Sequence, residues 1–217
     1  LHELAYLEIG RASYAEIRRL APRIDPGTLH EMLDSPRYLE WRSLAILMLG
    51  ESGQEQHRAR VRETLAQTAR LASSTNLSAW ATALVAVDGA AGIERLTSLY
   101  ASEPGRSRDE LDAVLQALSV HANAEPELRG PVAAAYRIML ERQPAMAPAM
   151  VHDLIAWKRW DFAGRIREIR QHLAADPLAA YALGLYLRLA LSNEVVVSSP
   201  DDRQTTNRTL ADEPAQE

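Results

Sequence analysis

The 217-residue chain contains no cysteine. Disulfides, thiolate metal sites and cysteine nucleophiles are thereby excluded, while the compartment stays open. Aromatic residues make up only 6%, with a single phenylalanine. Against an abundance of Ala and Leu, that scarcity favours helices over strands. No apolar run reaches the roughly 18 residues of a membrane span; the longest, 181–191, is too short and carries Arg188. Nor is there a surplus of basic charge. A net charge of −5 and a pI near 5.7 provide no field to draw in nucleic acid or an anionic membrane surface, so no nucleic-acid partner is expected.

Local signatures of catalysis are missing as well. His2–Glu3 and His30–Glu31 begin like an HExxH zinc motif, but Tyr6 and Asp34 stand where the second His belongs. Neither helix face then presents two imidazoles. The other histidines, His57, His121, His152 and His172, are scattered and are expected at surfaces and helix ends. GESG at 50–53 lacks the Gly-x-Ser-x-Gly pattern of a nucleophile elbow, and no phosphate-binding Gly-rich loop is found. Asp109–Glu110 and Asp201–Asp202 fall at a helix start and in a polar tail, where the helix dipole or solvation accounts for them. The sequence offers no catalytic, cofactor-binding or metal-binding residue. The alternative is a hydrolase or transferase whose site is assembled from separate helices.

What the chain does contain is a repeat. WRSLAILMLGESG (41–53) returns 39 residues later as WATALVAVDGAAG (80–92). Trp41 falls on Trp80, Leu44 on Ala83, Ala45 on Leu84, Met48 on Val87, Gly50 on Gly89 and Gly53 on Gly92. The apolar positions i, i+3, i+4 and i+7 form one helical face, and the glycine after it predicts a left-handed helix stop. Further helices are predicted over 15–21 and 28–33, split by PRIDPG. Ser107 and Glu110 form a capping box ahead of Leu111, Val114, Leu115 and Leu118. Pro131 and Pro148 open two more, Phe162, Ile166, Ile169 and Leu173 mark another, and Asp176–Pro177 starts the last. Leu44 to Leu49 are apolar on more than one face, as in a helix covered on both sides. Helix pairs with a period near 40 residues belong to the HEAT and armadillo range. The expected fold is all-α: a right-handed α-solenoid of about five irregular HEAT-like helical pairs over residues 1–191, followed by an extended, polar, acidic tail over 192–217.

Four stretches carry a resemblance: AYLEIGRASYAEIRRL, LAILMLGESG, AAGIERLTSLY and LIAWKRWDFAGRI. On these, the chain resembles a HEAT-like α-solenoid domain of uncharacterised exported bacterial proteins. The resemblance implies a position behind a smaller β-rich exported domain, which fits a start, LHELAYLEIG, that already reads as helix. It also implies an exported, periplasmic location. It brings no activity and no catalytic residues.

Two features are candidates for binding a protein partner. In AWKRWDFAGRIREIR, Trp157 and Trp160 bracket Lys158 and Arg159, and Arg165, Arg167 and Arg170 follow. Trp and Arg are enriched in interface hot spots, and Arg stacks on indole. In the tail, the strand-prone run Val195, Val196, Val197 suits addition to the edge of a partner's sheet. The basic run HRARVR at 57–62, flanked by Glu51, Glu55 and Glu63, reads as a solvated helix face. The functional expectation is a non-enzymatic interaction module or scaffold, an accessory subunit of an exported or membrane-associated complex. A purely structural spacer is the other alternative, and no cofactor is expected.

Overall fold

A computed structural model describes residues 13–173 and 175–197, the last four by their backbone alone. His2–Glu3 and the tail beyond Val197 lie outside the described residues. Every regular element among the described residues is helical. The chain divides between Arg159 and Trp160 into two compact units.

Among the described residues the first unit holds nine α-helices: α1 (Tyr14–Leu20), α2 (Pro26–Asp34), α3 (Arg42–Glu51), α4 (Glu55–Arg70), α5 (Leu77–Asp88), α6 (Ala90–Leu96), α7 (Arg108–Ala124), α8 (Arg129–Arg142) and α9 (Ala147–Ala156). Their starts follow the sequence. Asp25 accepts from the Thr28 N–H at 3.0 Å ahead of a first-turn proline in α2, and Ser107 and Glu110 make the expected capping box on α7. Short connections hold successive helices side by side. Helix α3 packs on α5, α5 on α7 and α7 on α9, while α4, α6 and α8 pack against the helices of that row. Helix α5, from Leu77 to Val85 almost wholly buried, is the centre. It is built from Ala and Leu because neighbours cover it on several sides.

The two copies of the repeat carry glycines at matching positions, yet use them in opposite ways. Gly50 does not stop α3 in the left-handed region. It lies within the helix, and a methyl group there would meet the Ala83 Cα of α5 at 2.8 Å. Its aligned partner Gly89 closes α5 at a positive φ of 56°, with ψ −129° outside the left-handed helical well. Three residues on, the roles cross. Gly53 takes φ 74° in the turn, whereas Gly92 sits in α6, where an added Cβ would lie 2.8 Å from the Leu84 carbonyl oxygen. One glycine in each copy makes a turn and the other lets two helices touch.

The second unit contains α10 (Ala163–His172) and α11 (Pro177–Val197), packed through Phe162, Ile166, Ile169, Leu183, Tyr186 and Leu187. Asp176 caps α11 by accepting from the N–H groups of Leu178 and Ala179. Helix α11 runs through Ser192–Val197, across the boundary expected between 191 and 192 and including the strand-prone run Val195–Val197. The polar residues do not end the helix because they bond back along it: Ser192 Oγ donates to the Arg188 carbonyl at 3.0 Å and Asn193 Nδ2 to that of Leu189 at 2.8 Å.

The close approaches carry a testable cost. Gly50→Ala and Gly92→Ala each lose about 1–3 kcal/mol in urea unfolding, because backbone atoms must move to admit a methyl group. Gly130→Ala, whose added carbon meets nothing within 4 Å, stays within about 0.5 kcal/mol of the parent.

Candidate functional site

The first unit carries an open groove of about 340 Å³ across α1, α3, α5 and α7. Its apolar lining includes Ile17, Leu47 and Val120, and Tyr14, Asn76 and Gln116 supply polar groups. The polar groups are fixed by the preceding helices of the row. Ser43 Oγ donates to Asn76 Oδ1 at 2.9 Å, and Ser78 Oγ donates to Gln116 Oε1 at 2.8 Å. Each carboxamide is thus held by its oxygen, at the α3–α5 seam in one case and at the α5–α7 seam in the other.

A charged cluster adjoins the groove through Tyr14. The Tyr14 hydroxyl donates to Glu51 Oε1 at 2.6 Å, and burial, then the neighbouring Glu51 carboxylate, push the phenol well above its ordinary range. Arg18 bonds Glu125 at 2.9 Å and lies 3.5 Å from Glu51. His121, fully buried, places Nε2 2.8 Å from the Thr82 carbonyl and Nδ1 3.3 Å from Glu125. The imidazole ties α7 to α5 and has no surface through which to touch a substrate.

A second buried network centres on Asp153 of α9. It accepts from the Tyr136 hydroxyl at 2.7 Å, Ser119 at 2.9 Å and Asn123 at 3.0 Å. Asn123 in turn accepts from the Trp157 indole N–H at 2.9 Å, and that indole stacks on Tyr136 with centroids 5.8 Å apart. Burial and the Asp153 carboxylate hold the Tyr136 phenol well above its ordinary range. A third cluster surrounds Arg106, which donates to the Ala69 and Leu99 carbonyls and to Glu110 while lying 4.7 Å over the Tyr100 ring. Burial, the larger influence on Tyr100, pushes its hydroxyl up to about 12.

The fourth cluster most resembles a nucleophile with its base. Ser52 Oγ lies 2.6 Å from His57 Nδ1 and 2.9 Å from the Leu49 carbonyl. His57 is fully buried and its ring meets that of His30 at 5.0 Å. Its Nε2 has no hydrogen-bond partner, so the group that orients the base of a triad is not in place. The pair reads as a turn device: the hydroxyl of the α3–α4 turn anchors a ring in the first turn of α4.

The residues singled out from the sequence are divided between the two units. Trp157 is 9% exposed and serves the Asp153 network. Lys158 is exposed and takes a left-handed φ of 55° after α9, while Arg159 is half-buried, its N–H bonded to the Leu154 carbonyl. In the second unit, Trp160 is half-buried against Tyr186, centroids 5.6 Å apart. Arg165, Arg167 and Arg170 are exposed on α10, with Arg165 bonded to Glu168 at 2.9 Å. The side chains of Val195–Val197 lie outside the described residues. The 57–62 run is less solvated than expected: His57 is buried, Arg60 bonds Asp34 at 2.6 Å and Arg62 bonds Asp88 at 2.6 Å. His57 and His121, expected at surfaces and helix ends, lie in the first turn of α4 and the last turn of α7, and both are buried. No residue pattern in the chain distinguishes them from exposed histidines, because their partners come from distant helices.

No family model matches the chain, and no curated protein or solved structure is similar to it.

Removing the Asp153 carboxylate with Asp153→Ala leaves three donors facing a void; stability falls by about 2–4 kcal/mol and Trp157 emission shifts to the red. Two buried groups set the acid response. Burial, then His30 and Arg60, hold the His57 imidazole below its ordinary 6.5, so the unfolded chain takes up a proton that the folded one refuses. That contribution is complete above pH 6.5 and declines as pH falls below it. For Glu110, burial pushes the carboxyl up, but Ser107 and Arg106 together outweigh it and leave it below 4.5. Its contribution is complete above pH 4.5 and is lost on further acidification through the depressed value. Urea unfolding across pH therefore shows two declining limbs, and His57→Phe flattens the upper one alone.

Proposed function

We propose that the chain is a non-enzymatic protein–protein interaction module, a HEAT-like right-handed α-solenoid serving as an accessory subunit of an exported or membrane-associated complex. The observation that carries the reading is the groove itself. Helices α3, α5 and α7 stack in a row, and their seams leave an open trough with an apolar floor and oriented carboxamides. Stacked helix pairs offer extended surfaces of this kind to protein partners. The reading needs neither metal nor cofactor. Among the described residues no helix is long and apolar enough to cross a membrane.

A structural spacer is the second reading, favoured by one observation: Trp157, a hot-spot residue by type, lies inside the Asp153 network. The hydrolase or transferase reading draws only on the Ser52–His57 contact.

Crosslinking separates the first two. Lys158 is the only lysine in the chain, so lysine chemistry samples that corner, and a benzoylphenylalanine placed at Leu47 samples the groove. In native complexes the interaction module gives crosslinks from position 47 to one reproducible protein, and unlabelled partner suppresses them. Crosslinks confined to the chain itself, from both positions, favour the spacer.

A further inference from the structure

Helix α11 is apolar on two faces, and its own unit accounts for one of them. Ala179, Leu183, Tyr186, Leu187 and Ala190 recur at helical spacing and are buried, on the side of the helix that meets α10. On the other side stand Leu178, 83% exposed, Tyr181, 66%, and Leu191, 51%, with Leu185 half-buried among them. From Pro177 to Asn193 the only charged residue is Arg188, and it is exposed on that same side. A helix facing water carries polar residues there, whereas one that is apolar all round is covered all round. Large apolar side chains gathered on one helix face form a patch, unlike the single exposed residues of an ordinary surface.

The order of the residues along the face shows what fits it. Tyr181 and Arg188 are seven residues apart, so they lie within about 20° of one line along the helix and about 10.5 Å from each other. Their midpoint is the step from Gly184 to Leu185. A second α11 laid antiparallel about that midpoint sets each Tyr181 opposite the other copy's Arg188, with the two copies of Leu185 beside the axis. Parallel pairing instead sets Arg188 against Arg188, a like-charge contact that opposes association. The face is therefore self-complementary in one orientation, which is the requirement of a two-fold interface.

The antiparallel pairing also supplies what both residues lack. Among the described residues neither the Tyr181 nor the Arg188 side chain has a hydrogen-bond or ionic partner. A guanidinium over a phenol ring is attracted by the ring's negative face, and two-fold symmetry makes that contact twice. One helix face is small against the roughly 800 Å² that each partner of a standard interface buries. A reversible dimer with a Kd on the order of micromolar is the expected consequence.

We propose that two copies of the chain associate through α11, antiparallel and two-fold symmetric, with Tyr181 of each copy receiving Arg188 of the other and the exposed leucines covered between them.

Sedimentation velocity of the full chain over roughly 1–200 μM is expected to show a monomer–dimer equilibrium. Tyr181→Ser and Arg188→Gln each weaken it by roughly five- to thirtyfold, since each removes two contacts per dimer. Adding Arg188→Gln to Tyr181→Ser costs less than about threefold more, because the ring it faced is already gone. Both side chains are exposed, and thermal melts confirm that the variants fold. A full additional loss in the double variant, or no effect of either single one, overturns the Tyr181–Arg188 pairing.

The chain has no cysteine, so a single introduced one reports orientation without ambiguity. With a short bismaleimide, Leu185→Cys gives a crosslinked dimer. Leu178→Cys gives at least about tenfold less, since antiparallel pairing sets its two copies about 20 Å apart along the helix. Equal yields overturn the antiparallel arrangement. A chain that stays monomeric throughout overturns the inference. Slow maleimide labelling of the Leu185→Cys variant then assigns the face to another part of the same chain, and fast labelling leaves it to a different partner.

Discussion

The structure depends on how closely α5 is approached by its neighbours. Helix axes come within van der Waals contact of backbone only where a side chain is missing, and this chain removes one at two places, Gly50 against Ala83 and Gly92 against Leu84 and Val85. With α3 and α6 set that near, α5 has room for little but Ala between its larger residues, which is why Ala79, Ala81 and Ala83 are buried there. The same closeness brings Ser43 within reach of Asn76 and Ser78 within reach of Gln116, bonds that short side chains make only across a narrow seam. The groove and its fixed amides follow from the glycines.

Polar networks then fix the register of the row. Apolar packing of Ala and Leu is permissive, since neighbouring registers bury similar surface. The Asp153 network is not permissive: sliding α7 against α9 by a turn separates Ser119 and Asn123 from the carboxylate and leaves it buried and unbonded, a cost of several kcal/mol. His121 does the same between α7 and α5 through the Thr82 carbonyl. Arg106 joins the α4 end to the start of α7 by donating to the Ala69 carbonyl, which also accepts from the Ala72 N–H of the closing turn at 3.3 Å. Each device uses one ionisable side chain at a seam.

The helices were legible in the sequence because their causes are local. Asp25, Ser107 and Asp176 sit before periodic apolar runs, and each caps a helix. What was not legible came from pairs far apart in the chain. Gly50 and Gly89 occupy the same place in the repeat, yet only packing against Ala83 decides that one is a contact and the other a stop. Trp157 looked like an anchor because composition marks Trp and Arg as interface residues, and nothing nearby shows that Asn123 and Tyr136 wait to receive its ring. The groove escaped for the same reason: Ser, Asn and Gln at 43, 76, 78 and 116 are ordinary surface residues until four helices are laid side by side. Composition marks Ser192 and Asn193 as the start of a polar tail, while their side chains bond back into α11.

A consequence for recognition follows from the order in which the parts are fixed. An exposed Asn or Gln costs side-chain entropy when a ligand orders it, about 0.5–1.5 kcal/mol for each, comparable to the net gain from a single hydrogen bond. Asn76 and Gln116 give up part of that freedom on folding, each through one hydrogen bond from Ser43 or Ser78. The row of helices thus restrains two surface donors before any ligand meets them.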